Sequence, residues 1–124
     1  MKGKSVIVLG AVLLALGVII GAFGAHGLEK IVAAEKLATF ETGVRYHFYH
    51  ALALLMTGII ALIKPEFNAR IPANFFLVGI LLFSFNCYLY VVTGIKTFAM
   101  IVPVGGFCFI FGWVALALKA RKLS

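Results

Sequence analysis

Three histidines are the side chains best suited to chemistry in this chain of 124 residues: His26, His47 and His50. His47 and His50 stand i,i+3, so on a helix they share a face, and imidazole is a ligand for zinc, copper and haem iron. Glu29 and Glu41 lie near them in sequence. A three-imidazole metal or haem site built on His26, His47 and His50 is the sharpest reading of that set. No HExxH, ExxH or CxxCH supports it. The plainer reading is that each His bonds across a helix end or to a lipid headgroup. Cys87 and Cys108 lack zinc spacing and read as small packing residues, with an interhelical disulfide as the alternative. Ser5, Ser84 and Ser124 have no neighbouring His or Asp in a nucleophile motif. The glycines between Gly21 and Gly27 have no P-loop lysine. The residues therefore call for no cofactor, and an enzyme has no positive support.

The elements that must position these groups follow from composition. Hydrophobic residues make up 64% of the chain and charged ones 12%, and the carboxylates are four glutamates. Mean hydropathy is +1.14. So few charges cannot cover the surface of a water-soluble domain, which leaves a membrane protein. The net charge of +7 comes from basic residues at the ends of apolar segments, where headgroups and topology account for them better than nucleic acid does.

Four uncharged stretches run over 5–25, 46–63, 71–95 and 97–118. A span needs about 20 residues at about 1.5 Å rise each. The second stretch is the shortest, and Arg45 can extend it by snorkelling. Pro65 ends it, Pro72 suits the first turn of the third, and Thr97 is placed to cap the fourth. Pro103, two turns into the fourth, predicts a kink or an irregular turn near Val102–Gly106. The connection over 28–44 has apolar residues near helical spacing (Leu28, Ile31, Val32, Leu37, Phe40, Val44) with charged ones between. It predicts a separate amphipathic helix on the membrane surface. Glu41 and Arg45 stand i,i+4 in the favourable order.

Four spans put both termini on one side, with Lys2, Lys4, Lys64, Arg70, Lys119, Arg121 and Lys122. The other side carries Lys30, Lys36, Arg45 and Lys96. That bias predicts cytoplasmic termini in the plasma (inner) membrane, with Trp113 toward the cytoplasmic interface and Tyr46 and Tyr49 toward the outer one. The first stretch is long for a signal peptide and reads as a retained anchor. Small residues mark the seams: Gly10, Gly17, Gly21 and Ala25 in the first span, and Gly105, Cys108, Gly112 and Ala115 in the fourth. His47, His50, Leu54, Thr57 and Ala61 form a stripe in the second, as do Gly79, Phe83, Asn86, Tyr90 and Thr93 in the third. Asn86 is the deepest strongly polar side chain. It either joins helices or, with Thr57 and Tyr90, lines a path for a small solute or ion. No carboxylate, Lys or Arg lies within a span, as a coupled transporter would require.

Residues 21–28 and 40–54, then Tyr88, Thr93-Gly94, Pro103, Gly105-Gly106 and Gly112-Trp113, resemble the domain-of-unknown-function family 423 over essentially the whole chain. That resemblance implies four helices integral to a membrane and no particular activity. The positions that match its motifs are His26, Glu41, Arg45, Tyr46, His50, Tyr88, Pro103, Gly105, Gly106 and Trp113. Members often have Gln where His47 stands, and Phe-Ser-Gly-Ser where this chain has Phe83-Ser84-Phe85-Asn86.

The fold expected is an all-α four-helix transmembrane bundle, one integral domain over residues 1–124. The function expected is that of a non-enzymatic accessory, assembly or lipid-organising protein acting through helix packing. Its partners would be membrane lipids and a homo-oligomer or larger membrane complex. His26, Glu41, Arg45, Tyr46 and His50 would form an outer-face polar cluster. A channel or transporter, and a haem or metal protein, are the alternatives.

Overall fold

The computed structural model describes residues 2–124, with Ala25 described by its backbone alone. All the secondary structure it describes is helical. Four helices are long and apolar enough to cross a membrane. They are α1 (Gly3–Gly27), α2 (Ala34–Ile63), α3 (Arg70–Thr93) and α4 (Lys96–Ala120). α3 consists of two α-helical pieces, Arg70–Gly79 and Phe85–Thr93, joined by a π-helical turn at Ile80–Ser84.

α1 packs along α2, and α3 packs on both α2 and α4. The α1–α2 seam is antiparallel and close, as the glycine stripe predicts. A methyl group at Gly10 would stand 2.9 Å from the Leu55 nitrogen, and one at Gly58 would stand 2.8 Å from the Gly3 oxygen. Lipid supplies no hydrophobic drive between helices, so backbone approach of this kind is what holds them. The core is lined by Val6, Leu13, Leu54, Phe76, Ile80 and Phe109.

Three local expectations are corrected. The segment expected as a separate surface helix over 28–44 is a short connection followed by the first turns of α2, one continuous helix of 30 residues. Its apolar positions are used against α1 instead, with Phe40 against Gly24 and Val44 against Gly21. α4 runs through Pro103 without a break in its helical assignment. The irregular turn lies across from it in α3, where Gly105 meets the backbone at Leu82 and Phe83. Thr97 does not cap α4; the hairpin is made by Gly94 at φ 72° and by Thr93, whose hydroxyl accepts the Ile95 N–H at 3.2 Å. Glycine adopts that left-handed geometry without a Cβ penalty, which is why α3 stops there.

Candidate functional site

Two histidines one turn apart on α2 serve opposite neighbours. His47 is fully buried; its Nε2 donates to the Leu13 carbonyl of α1 at 2.7 Å, and its Nδ1 pairs with the Tyr88 hydroxyl of α3 at 2.9 Å. His50 turns toward α4. Its Nδ1 donates to the Tyr46 carbonyl at 2.7 Å, and its Nε2 accepts the indole N–H of Trp113 at 3.0 Å. A carbonyl only accepts and an indole N–H only donates, so these two partners fix His50 as the neutral Nδ1–H tautomer. Its ring lies flat on Phe109, with centroids 3.5 Å apart and planes 9° apart.

By helix rise, His50 stands about 20 Å from the Ile63 end of α2, and His47 packs beside Gly17 in the middle of α1. Both histidines lie inside helix α2 rather than at its start, two and five residues after Arg45. Trp113, seven residues before the Ala120 end of α4, reaches across to His50.

Around His50 the side chains of α2, α3 and α4 enclose a cavity of about 670 Å³. Tyr46, Tyr49 and His50 form one wall, Phe83 the back, and Pro103, Gly106, Phe109 and Trp113 the other wall. Tyr46 stacks on Phe83 at 4.7 Å, and Phe76 meets Trp113 edge-on at 4.9 Å. Tyr49, Phe107, Ile110 and Trp113 are all exposed at the rim, so the cavity is a groove open to the side of the bundle. Its volume is in the range of small-molecule sites, and its lining is aromatic with few polar atoms.

The expected outer-face cluster is divided. Tyr46 and His50 belong to the groove. Glu41 and Arg45 border a separate cleft of about 160 Å³ beside Gly21. Arg45 Nη2 donates to Thr42 Oγ1 at 3.3 Å, and His26 lies exposed in the last turn of α1. The three imidazoles of the metal reading do not converge, and among the described residues no three His, Cys, Asp or Glu side chains could hold a metal ion.

The three residues of the polar path each bond within reach of their own helix or neighbour. Thr57 Oγ1 donates to the Ala53 carbonyl at 2.7 Å, and Asn86 Nδ2 donates to Leu81 and Leu82 at 3.1 and 3.0 Å. Tyr90 lies under the Lys36 ammonium at 5.4 Å. Cys87, next to Asn86, packs on Gly43, and from Gly43 to Thr57 is about 20 Å of helix. Cys87 and Cys108 are both free thiols; Cys108 faces Ile71, Asn74 and Phe75 instead.

Residues 20–106 match a family model described as a protein of unknown function (DUF423). The chain belongs to that family. It is 39% identical over 120 residues to the UPF0382 membrane protein YwdK of Bacillus subtilis (strain 168), covering 96% of this chain and 98% of the relative. It is 37% identical over 121 residues to a UPF0382 membrane protein of Staphylococcus aureus (strain bovine RF122 / ET3-1), covering 98% of each. It is 39% identical over 105 residues to a UPF0382 membrane protein of Haemophilus influenzae, covering 85% of this chain and 84% of the relative. No solved structure matches. Of the residues that carry the DUF423 resemblance, Tyr46, His50, Pro103, Gly106 and Trp113 line the one groove. Sequence reading missed Tyr49, Phe83, Phe107 and Phe109 as parts of a site. The usable signal was aromatic spacing: Tyr46 with His50 and Phe109 with Trp113 are both i,i+4 pairs, which one helix face brings together.

Proposed function

We propose that this membrane protein is non-enzymatic and holds a lipid hydrocarbon chain in the groove between α2 and α4, ordering lipid as an accessory component of its membrane. One observation carries the reading: an aromatic cavity of about 670 Å³ opens sideways within the spans, and the one imidazole that lines it has both nitrogens engaged. A groove with its base already spent supports binding by shape and dispersion rather than proton transfer. The chain acts in this reading as a single integral domain, with both termini in the cytoplasm of the inner membrane; a reporter fused to the C-terminus tests that orientation.

Trp113 is the chain's only tryptophan, so its fluorescence reports the groove without labelling. The protein is reconstituted in vesicles containing a phospholipid brominated midway along its acyl chains. Quenching of Trp113 is expected at low bromolipid fractions. Gly106→Leu, which projects a side chain into the groove, is expected to shift quenching to the higher fractions typical of lipid that merely surrounds a protein. Identical quenching curves for the two proteins would overturn the reading.

A further inference from the structure

We infer that the groove's occupant is a phosphate-headed lipid drawn from the leaflet on the side away from the termini, with Arg45 holding the phosphate; this rests on the groove reading above. Arg45 stands four residues before Tyr49 and next to Tyr46 on α2, between the groove and the separate cleft that it borders with Glu41 and Gly21. The hydrogen bond to Thr42 Oγ1 at 3.3 Å draws it to the groove side, because Thr42 is one turn before Tyr46 on the same helix. Thr42, Arg45, Tyr46 and Tyr49 thus form one continuous strip running from the charged end of α2 into the groove.

Among the described residues no ion pair matches the charge at the head of that strip, although Glu41 borders the same cleft. Arg45 is exposed, and among the described residues Thr42, a neutral acceptor, is its hydrogen-bond partner. A guanidinium carries five N–H donors in a planar fork that fits a phosphate with two parallel bonds. An arginine within one turn of the hydrocarbon is stabilised by an anion at the headgroup level. From Arg45 to His50 is about 7 Å of helix rise, so a chain descending from a phosphate at Arg45 passes Tyr49 and Tyr46 before it reaches Trp113. A free phosphate would leave the groove empty. A lipid fills both the charged head and the apolar length, and it is the occupant whose two chemistries follow in the order the strip presents them.

The test uses two probes with the same brominated chains: a phosphatidylglycerol and a glycosyl diacylglycerol, which has no phosphate. Each is titrated into vesicles of unbrominated glycosyl diacylglycerol containing the full-length protein, and Trp113 quenching is read. The phospholipid is expected to reach half-maximal quenching at about a tenfold lower mole fraction than the glycolipid. Arg45→Gln is expected to abolish that difference, and Arg45→Lys, which keeps the charge but loses the fork, to retain part of it. Equal curves for the two probes on the native protein would overturn the assignment of Arg45, as would a preference that survives Arg45→Gln. If neither probe gives a curve that Gly106→Leu alters, the groove reading itself fails. Arg45 is exposed, so both variants are expected to fold, and circular dichroism in the same vesicles checks it.

Discussion

Trp113 and His50, on α4 and α2, are joined by an indole N–H to imidazole nitrogen bond of 3.0 Å, although the two helices lie on either side of α3. The bond spans the groove floor, and it sets both the His50 tautomer and the separation of the groove's walls. Its partners are also coupled through rings: His50 stacks on Phe109, one turn before Trp113.

A double-mutant cycle on this pair measures the bond. Interhelical hydrogen bonds in membrane proteins average about 0.6 kcal/mol and reach about 1.7 kcal/mol, because the unfolded state in lipid also finds partners. This one joins a buried imidazole, so the upper part of that range applies. Trp113→Phe, His50→Leu and the double variant, compared by reversible unfolding in mixed micelles, are expected to give a coupling energy of about 1 kcal/mol. A coupling indistinguishable from zero would show that the bond is not formed in the membrane.

Adjacent glycines of α4 should respond in opposite ways. A methyl at Gly105 would stand 2.8 Å from both the Leu82 carbonyl carbon and the Phe83 Cα, backbone atoms that cannot move aside without parting α3 from α4. A methyl at Gly106 would meet the Phe83 ring at 3.9 Å, ordinary contact. Gly105→Ala is expected to cost about 1–3 kcal/mol, as overpacking does, and to lower the yield of folded protein. Gly106→Ala is expected to leave yield and thermal stability within about 0.5 kcal/mol of the native protein. Size-exclusion profiles and thermal melts of the two variants decide it.

Much of this was legible in the sequence. Charge-free length alone locates four helices, since hydrocarbon demands about 20 residues whatever the packing. The α1 stripe of Gly10, Gly17 and Gly21 faces α2 as expected, because close backbone approach admits little else. The groove was not legible. Its walls come from three helices, and periodicity along one helix does not tell which neighbour a face meets. Charge counting set the second span at Tyr46 and so put His47 and His50 at its outer end. α2 begins twelve residues earlier, at Ala34, so both histidines stand inside a longer helix instead of at the start of one. Pro103 drew the expectation of a kink to α4, yet the irregular turn is in α3, where no proline marks it.

Asn86 supports that irregular turn. The Phe85 N–H donates to the Ile80 carbonyl five residues back, so the usual i→i+4 ladder is displaced through Leu81 and Leu82. The Asn86 amide donates to both of those carbonyls. In hydrocarbon there is no water to satisfy a freed carbonyl, which then costs several kcal/mol. Asn86→Leu is therefore expected to destabilise the protein by about 1–2 kcal/mol. It is also expected to alter the groove, whose back wall is Phe83 in the same turn. The check is a melt together with the bromolipid quenching curve. If the variant is as stable as the native protein and transports a solute that the native protein also transports, Asn86 has no part in that transport. If a flux present in the native protein is lost while the quenching curve is unchanged, the polar-path reading gains over the groove.

His47 is the corresponding clip on the other side of α2, and its loss should be felt in a different place. Its Nε2 binds the Leu13 carbonyl of α1 and its Nδ1 the Tyr88 hydroxyl of α3, so one ring ties three helices. Gly17 leaves room for it: a methyl there would stand 3.4 Å from the imidazole Nε2. His47→Leu removes both bonds and leaves the half-buried Tyr88 hydroxyl without its acceptor, an expected loss of about 1–3 kcal/mol. His47→Gln is close in length and can still donate to Leu13 or meet Tyr88, so it is expected to lose less than half as much. Because α1 packs along α2 and the groove is built from α2, α3 and α4, neither variant should move the Trp113 quenching curve of the folded protein. A shift of that curve equal to the one produced by Gly106→Leu would mean that the two histidines act on one site, and that the division of α2 into two separate faces is wrong.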